Sequence, residues 1–325
     1  MRKGLFPLCV CMILGFLLIA HVPPARAEEY PSRPISLIVQ FTAGTSTDII
    51  ARKLSDEVSR KLGQPVVCVN KPGGGGTIGV AEVLRSKPDG YTIGCANMPA
   101  LAIIPQMQPV SYDPLKDAAH ICAIGPYEYA FYVKADSPWN SLKDFVEFAK
   151  AHPGEVIYGS LGAGSTNHLI FARLAQEHGL KMKHVVFKGD GELIPAVLGG
   201  HVAIVSGSPA AVVPQVKAGQ LKLLAITNKD RWPYLPEVPT LLELGYSFYQ
   251  SSYLSLVAPA GTPEPIMKKL EDAFRQVLEN PDLKKEMEEK FFTTLGYQSG
   301  KDYGRYIEEQ FAFYKDFLKQ EGLIK

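Results

Sequence analysis

Cysteine is scarce in this chain: five in 325 residues, with no CxxC pair. Cys9 and Cys11 fall in an N-terminal apolar segment. That leaves Cys68, Cys95 and Cys122, an odd number, each inside a short apolar run that reads as a strand. Buried free thiols are the simple reading; a Cys68–Cys95 bridge is the alternative, and the spacing does not demand it. The histidines beyond the apolar segment show no metal-ligand spacing, so no metal and no cofactor is expected. No block of Lys or Arg stands out, which argues against nucleic acid as a partner. After the first 27 residues no apolar stretch approaches the roughly 20 residues needed to cross a bilayer.

The N-terminus is what a secretory signal looks like. Arg2 and Lys3 are followed by an apolar run from Leu5 to Ala20, and Ala25-Arg26-Ala27 is a small-residue cleavage site. Residues 1–27 are therefore expected to be removed, leaving an exported protein. Losing Arg2, Lys3 and Arg26 leaves 31 basic against 33 acidic residues, a formal charge of −2. Nearly 300 residues with 46% hydrophobic content can bury a large core and fit two lobes.

From Ile35 onwards one theme repeats: an apolar run, a small-residue turn, a helical pattern. "ISLIVQF" (35–41), "PVVCVN" (65–70) and "YTIGCAN" (91–97) read as strands, with helices after the first two. A second series starts near Tyr129 with "YAFYVKA", then a helix capped by Ser141-x-x-Asp144, then "VIYGS" (156–160), "KHVVF" (183–187), "HVAIVSG" (201–207) and "LKLLAIT" (221–227). "SYLSLVAP" and the amphipathic helices beyond Pro265 can return to the first series. The pattern predicts an α/β fold of two lobes, each a mostly parallel sheet flanked by helices, with a cleft at the carboxyl ends of the strands. The expected lobes are 28–127 plus 250–325 and 128–249, with crossings near 125–131 and 246–253.

Two glycine-containing turns resemble nucleotide or catalytic signatures, and neither passes the test. "NKPGGGGTIGV" (70–80) holds Gly74-x-Gly76-x-x-Gly79, but the next strand ends at Asn97 where a dinucleotide fingerprint needs an acid. No P-loop occurs, and "GAGST" lacks the G-x-S-x-G of a nucleophile elbow. His168 sits three residues beyond Ser165 on one helix, so no base is aimed at that hydroxyl. Ser165 still defines the rival reading, an exported serine hydrolase.

What two other turns share is chemistry suited to an anion. "FTAGTSTD" offers Gly44 for close approach and hydroxyls from Thr42, Thr45, Ser46 and Thr47. "GSLGAGST" offers Ser160, Gly162, Gly164, Ser165 and Thr166. Both open helices, where backbone N–H groups and the positive dipole end face outward. A single such turn is equally well explained as a helix cap, Thr45-x-x-Asp48 fitting a capping box. Two of them in facing lobes point to a ligand.

"YPSRPISLIVQFTAGTSTDIIARKL", "GQPVVCVNKPGGGGTIGVAEVLRSKPDGYTI", "GSLGAGSTNHL", "HVVFKGDGELIPAVLGGHV", "DRWPYLPEVPTLLELG" and "LVAPAGTPEPI", in unbroken order, resemble the Bug family. These are extracytoplasmic receptors (TctC-type) of tripartite tricarboxylate transporters. The resemblance implies a periplasmic Venus-flytrap fold, no enzymatic activity, and capture of a small carboxylate for a permease of two other subunits. It implies a ligand held by Phe41, Thr42, Ala43, Gly44, Thr45 and Ser46 in lobe one, and by Gly162, Ala163, Gly164, Ser165 and Thr166 in lobe two. Asn97 and Met98 after the third strand, and Lys188-Gly189 after "HVVF", would line the same cleft. Ser160 is a further candidate, and His168, Lys188 and Asp190 are polar enough to contact the ligand, though surface or helix-capping roles fit each of them equally.

This chain departs from the family pattern in two places. The first turn has Thr45 where the family resembles P-x-G-G-x-x-D, which narrows the pocket or adds a hydroxyl. Some relatives carry an Asp, suited to an ammonium group, where this chain has Ser206-Gly207-Ser208; Ser206 is thus a neutral candidate, and an amino-acid ligand is disfavoured. A di- or tricarboxylate is the first expectation and an aromatic carboxylate the second, bound by a monomer. Tyr127, Tyr129, Tyr249 and Tyr253 are expected at the hinge, where one or two could face the ligand. Coupling to a sensor kinase instead of a permease is the third reading.

Overall fold

Ile35–Val39, β1, contains four buried residues and is the second strand from one edge of a six-stranded sheet. Its neighbours β2 (Val66–Asn70) and β3 (Thr92–Asn97) run parallel to it. The computed structural model describes residues 29–250, 252–320 and 322–324; the expected signal segment lies outside them. Between β1 and β2 lies α1 (Ser46–Leu62), which Gly63 ends in the left-handed region with φ 70° and its N–H on Ser59 O. Between β2 and β3 come a tight helical turn at Gly74–Gly76 and α2 (Thr77–Leu84).

The second half of this sheet is antiparallel. β4 (Ala118–Tyr127), of which the sequence shows only the apolar run around Cys122, pairs with β10 (Ser252–Pro259), and β10 pairs with β3. The short β11 (Gln298–Ser299) closes the edge beside β4.

The other sheet has order β7-β6-β8-β5-β9 and repeats the plan: β7 (Lys183–Val186), β6 (Ile157–Ser160) and β8 (Ile204–Gly207) are parallel, while β5 (Ala130–Lys134) and β9 (Leu221–Ile226) are antiparallel to their neighbours. The βα units of each lobe thus run parallel as the alternation predicts. The strands that enter from the other lobe make each sheet mixed. Its helices are α4 (Leu142–Ala151), α5 (Thr166–His178), α6 (Asp190–Leu198) and α7 (Pro209–Lys217). α3 (Ile104–Met107) belongs to the first lobe and follows a π-helical turn at Pro99–Ile103.

Each sheet has its own core. Leu37, Val39, Ile93 and Leu256 pack with Leu270, Phe274, Val277 and Leu278 of α8 (Glu264–Leu278), so the charged C-terminal helices do return to the first lobe. α9 (Pro281–Phe291) adds Leu283 and Met287 to the same core. α10 (Gly300–Gln320) buries Tyr303, Ile307 and Leu318 against the π-helical turn, and Gln106 Nε2 donates to Phe311 O at 2.9 Å. The second core gathers Phe131, Phe145, Phe171 and Leu174. At roughly 1.5–3 kcal/mol for each fully buried large apolar side chain, these two clusters hold the lobes as separate units.

Cys68, Cys95 and Cys122 are free thiols. Cys68 lies on β2 and Cys95 on β3, with β1 between them. Two strand spacings are about 9.5 Å, beyond the roughly 7 Å Cα limit for a disulfide.

Candidate functional site

The turn after β1 is held by an acid. Thr45 caps α1 by accepting from Asp48 N, and its own hydroxyl donates to Thr42 O at 2.9 Å. The Asp48 carboxylate does not complete the expected reciprocal box. It reaches one residue further back to accept from Gly44 N at 2.9 Å, and it also accepts from Asn70 Nδ2 at 2.8 Å and Arg52 Nε at 3.0 Å. Burial works against its charge, yet Arg52, the Gly44 N–H and Asn70 together hold the carboxyl below its ordinary value. Gly44, with φ 82°, and Ala43 are left exposed at the tip.

The matching turn after β6 is tied to itself. Ser160 Oγ accepts from Gly162 N at 3.0 Å and lies 2.5 Å from His184 Nε2. Ser165 caps α5 by accepting from His168 N at 3.3 Å, and His168 Nδ1 accepts from Gly164 N at 3.3 Å. Burial, reinforced by His184, lowers the His168 ring to about 4, so it is neutral at ordinary pH.

The two lobes meet at these turns. Ser46 Oγ at the start of α1 and Ser208 Oγ after β8 are hydrogen-bonded across the seam, and Ser208 Oγ donates to Asp190 Oδ2 at 3.3 Å. A Cβ at Gly189 would stand 2.5 Å from Thr42 Oγ1 and 3.1 Å from Thr45 Cγ2. On the α3 side, a Cβ at Gly164 would stand 2.7 Å from Met107 Sδ and 3.1 Å from Ile104 Cγ1. Tyr127 leads into this seam from β4, its hydroxyl accepting from Thr47 Oγ1 at 3.4 Å.

Buried polar atoms with no partner collect along the same strand ends. They include Thr42 Oγ1, both amide atoms of Gln40, Ser206 Oγ and Asn167 Oδ1; Gln40, Asn167 and Ser206 are 1% exposed or less. Burying such groups without partners costs about 1–3 kcal/mol each, so they mark a place for a polar solute, whose oxygens suit the Thr42 and Ser206 hydroxyls and Gln40 Nε2. Alongside runs a groove of about 440 Å³, lined from one lobe by Phe41, Gly73–Gly75 and Gln108, and from the other by Leu161, Gly162, Ala163, Phe187, Lys188 and Glu192 among others.

A family profile described as "Tripartite tricarboxylate transporter family receptor" matches residues 50–323. The chain belongs to this receptor family. It is 38% identical over 301 residues to the "UPF0065 protein in gbd 5'region" of Cupriavidus necator, covering 93% of this chain and 91% of that one. It is 34% identical over 260 residues to Protein BugT of Bordetella pertussis, covering 79% and 80%. The fold is similar to that of the periplasmic binding protein BugD, with TM-score 0.85 and 28% identity over 91% of this chain and 100% of that one. It also resembles Rhodopseudomonas palustris MatC with bound malate, with TM-score 0.81 and 26% identity over 88% and 99%. The family and these neighbours are solute-binding receptors, not enzymes. In such a receptor the Ser165 and His168 contacts are helix capping, and the hydrolase reading has no support.

The sequence candidates distribute unevenly over the seam between the two sheets. Phe41, Gly162, Ala163 and Lys188 line the groove. Thr42, Thr45, Ser46 and Gly189 meet across the lobes. Thr166 is buried at the first residue of α5. Met98 is 1% exposed within the apolar cluster of Val80, Leu101 and Tyr303 and is not among the residues that line the groove. Asn97 braces the glycine turn, its Nδ2 donating to Gly75 O at 3.5 Å while its Oδ1 accepts from Ala100 N at 3.3 Å. Gln40, Asn167 and Ser208 are absent from the sequence candidates. Gln40 had a visible signal, a polar residue ending an apolar run at the carboxyl end of β1.

Asp190 carries a testable consequence. Burial raises its carboxyl from 3.8 to about 6, with Ser208's hydroxyl pulling the other way. An acid raised in the folded state ionises first in the unfolded chain, so folding stability falls as pH rises from about 4 to 6. Asp190→Asn should remove that slope and raise the thermal midpoint at pH 7 by up to the equivalent of about 3 kcal/mol. Melting curves between pH 4 and 8 check this; parallel wild-type and variant profiles would contradict it.

Proposed function

We propose that this protein is an extracytoplasmic receptor that closes over a small organic carboxylate between its lobes and hands it to the permease subunits of a tripartite transporter. The observation that carries this reading is the seam itself. Neutral donors and unpartnered buried polar atoms from both lobes converge at strand ends, where two turns that carry no Lys or Arg can hold a carboxylate by fixed dipoles. Neighbours with malate and, in the case of R. palustris Rpa4515, adipate support the ligand class; the latter has TM-score 0.85 and 28% identity. A di- or tricarboxylate is the first class and an aromatic carboxylate the second.

Lobe one is proposed as residues 28–127 plus 250–325 and lobe two as 128–249. Closure is a hinge rotation about the crossings near 125–131 and 246–253. Only two residues separate the end of β4 from the start of β5, which supports a short, well-defined hinge. Secretion with a cleaved signal peptide, periplasmic residence and a monomeric state complete the proposal. Among the described residues no helix is long and apolar enough to cross a membrane.

Calorimetry with malate, adipate, citrate and benzoate tests the reading, with product analysis of each mixture. Saturable binding with unchanged ligand is the expected result. Conversion that disappears in Ser165→Ala would sink it. Gly44→Val and Gly164→Val should each abolish binding while circular dichroism stays that of the wild type. At Gly164, with φ 77°, the added side chain both strains the backbone and meets Met107. Normal binding by both variants would remove the two turns from the site.

A further inference from the structure

Two glycines bracket the wall that the turn after β6 gives to the groove. Leu161, Gly162 and Ala163 line it, and Gly162 and Gly164 lie in the left-handed region with φ 111° and 77°. Glycine enters such conformations freely and leaves them as freely, so a wall built this way keeps its shape only if its backbone is tied. Both glycine N–H groups are tied, and both lead to an imidazole. Gly164 N donates directly to His168 Nδ1 at 3.3 Å. Gly162 N donates to Ser160 Oγ at 3.0 Å, and that oxygen lies 2.5 Å from His184 Nε2.

Packing decides what Ser160 can do. It ends β6 and is fully buried. A hydroxyl has one proton to give, and here one lone pair already takes the Gly162 N–H. The proton has two acceptors in reach, His184 Nε2 at 2.5 Å and Gly162 O at 3.4 Å, and the shorter contact makes the stronger bond. His184 can accept because burial lowers its ring below the ordinary value and keeps it neutral at pH 7. The ring is held from two elements. β6 and β7 run parallel with Tyr158 opposite His184, and these rings stack at 4.9 Å and 10°. His168 of α5 adds a second ring contact at 4.9 Å. His184 itself is not among the residues that line the groove.

We infer that His184 is a positioning residue for solute binding: it holds the Ser160 hydroxyl, Ser160 holds the Gly162 N–H, and the groove wall is set before a ligand arrives. This rests on the carboxylate-receptor reading, and it places Ser160 in the support of the wall instead of at the ligand. Without the relay the wall is ordered only when the solute binds, and affinity falls by the free energy of that ordering.

Calorimetry at pH 7.5 on the full mature chain, with malate, adipate, citrate and benzoate, first identifies an acid that the wild type binds. For that acid His184→Leu, which removes the acceptor, should weaken binding by about tenfold or more, while His184→Gln, which returns an acceptor at similar reach, should stay within about threefold of the wild type. Ser160→Ala should lose as much as His184→Leu, and the double variant no more than either, because the two residues act in series. A second measurement needs no ligand. Hydrogen exchange at the Gly162 amide, followed by NMR, should quicken in His184→Leu and Ser160→Ala and stay at the wild-type rate in His184→Gln. If His184→Leu does not fold, Ser160→Ala against His184→Gln carries the same contrast. Wild-type affinity in His184→Leu, additive losses in the double variant, or a Gln variant as weak as the Leu variant overturns the inference and leaves the receptor reading intact. If none of the acids binds the wild type, the receptor reading for these acids falls and the inference falls with it.

Discussion

Gly189→Val is expected to weaken ligand binding by roughly 100-fold or more, the equivalent of about 2.7 kcal/mol, without unfolding the protein. A single Cβ at this position already lies 2.5 Å from Thr42 Oγ1 and 3.1 Å from Thr45 Cγ2. Thr42 alone could turn aside, but Thr45 cannot. Its hydroxyl is fixed by Thr42 O and by the N–H of Asp48, which locks its methyl in place. Valine adds two more carbons to the collision. Both threonines belong to the other lobe, so the clash exists only when the lobes are together, and each core is untouched. A site assembled by closure loses apparent affinity in proportion to the closed fraction. Calorimetry on a carboxylate that the wild type binds measures the loss, and small-angle scattering should show the variant staying extended in the presence of ligand. Wild-type affinity with ligand-induced compaction would mean that Gly189 does not gate the seam.

Asp48→Ala should cost about 2–3 kcal/mol of stability and disorganise the first ligand turn at the same time. The side chain is 4% exposed and is the common acceptor for Gly44, Asn70 and Arg52. Removing it leaves the Asn70 amide and the Gly44 N–H without this partner, and the shape of the Thr42–Ser46 turn depends on the latter. Asp48→Asn retains an acceptor for Gly44 and should cost less. The pH dependence has the opposite sign to that of Asp190. A carboxyl held below its ordinary value contributes stability that is fully present above about pH 4 and is lost as pH falls through its folded value. Urea melts at pH 7 and pH 3 check both points: the wild type and Asp48→Ala should differ at pH 7, and the difference should shrink at pH 3. An unchanged denaturation midpoint at pH 7 would show the network to be dispensable.

These expectations separate what is local in this protein from what is not. β1, β2 and β3 were legible because each is a short apolar run closed by a turn. The Ser141 cap of α4 was legible because a capping box is written in four adjacent residues, and it forms in full. The glycine run at 73–76 reads at first as a cofactor fingerprint, and the missing acid at Asn97 removes that reading. In the fold this run is a tight turn whose Gly73–Gly75 backbone walls the groove. Met98 shows the limit of carrying a loop over by position, since it lies in a cluster of apolar side chains that only packing could reveal.

The sequence by itself determined the element order, the two-lobed α/β class and the two hydroxyl-rich turns, because hydrophobic period and cap chemistry act over a few residues. It also pointed away from an amine-bearing ligand, since Ser206-Gly207-Ser208 carries no acid. What only the tertiary structure decided is the seam: it brings Asp190, from the start of another helix, to the Ser208 hydroxyl, and sets Ser46 against Ser208 from 162 residues away. Such contacts depend on how two independently packed sheets are turned toward each other by the strands that cross between them. No local pattern encodes that angle, so the Ser46–Ser208–Asp190 contacts became visible only in the folded chain.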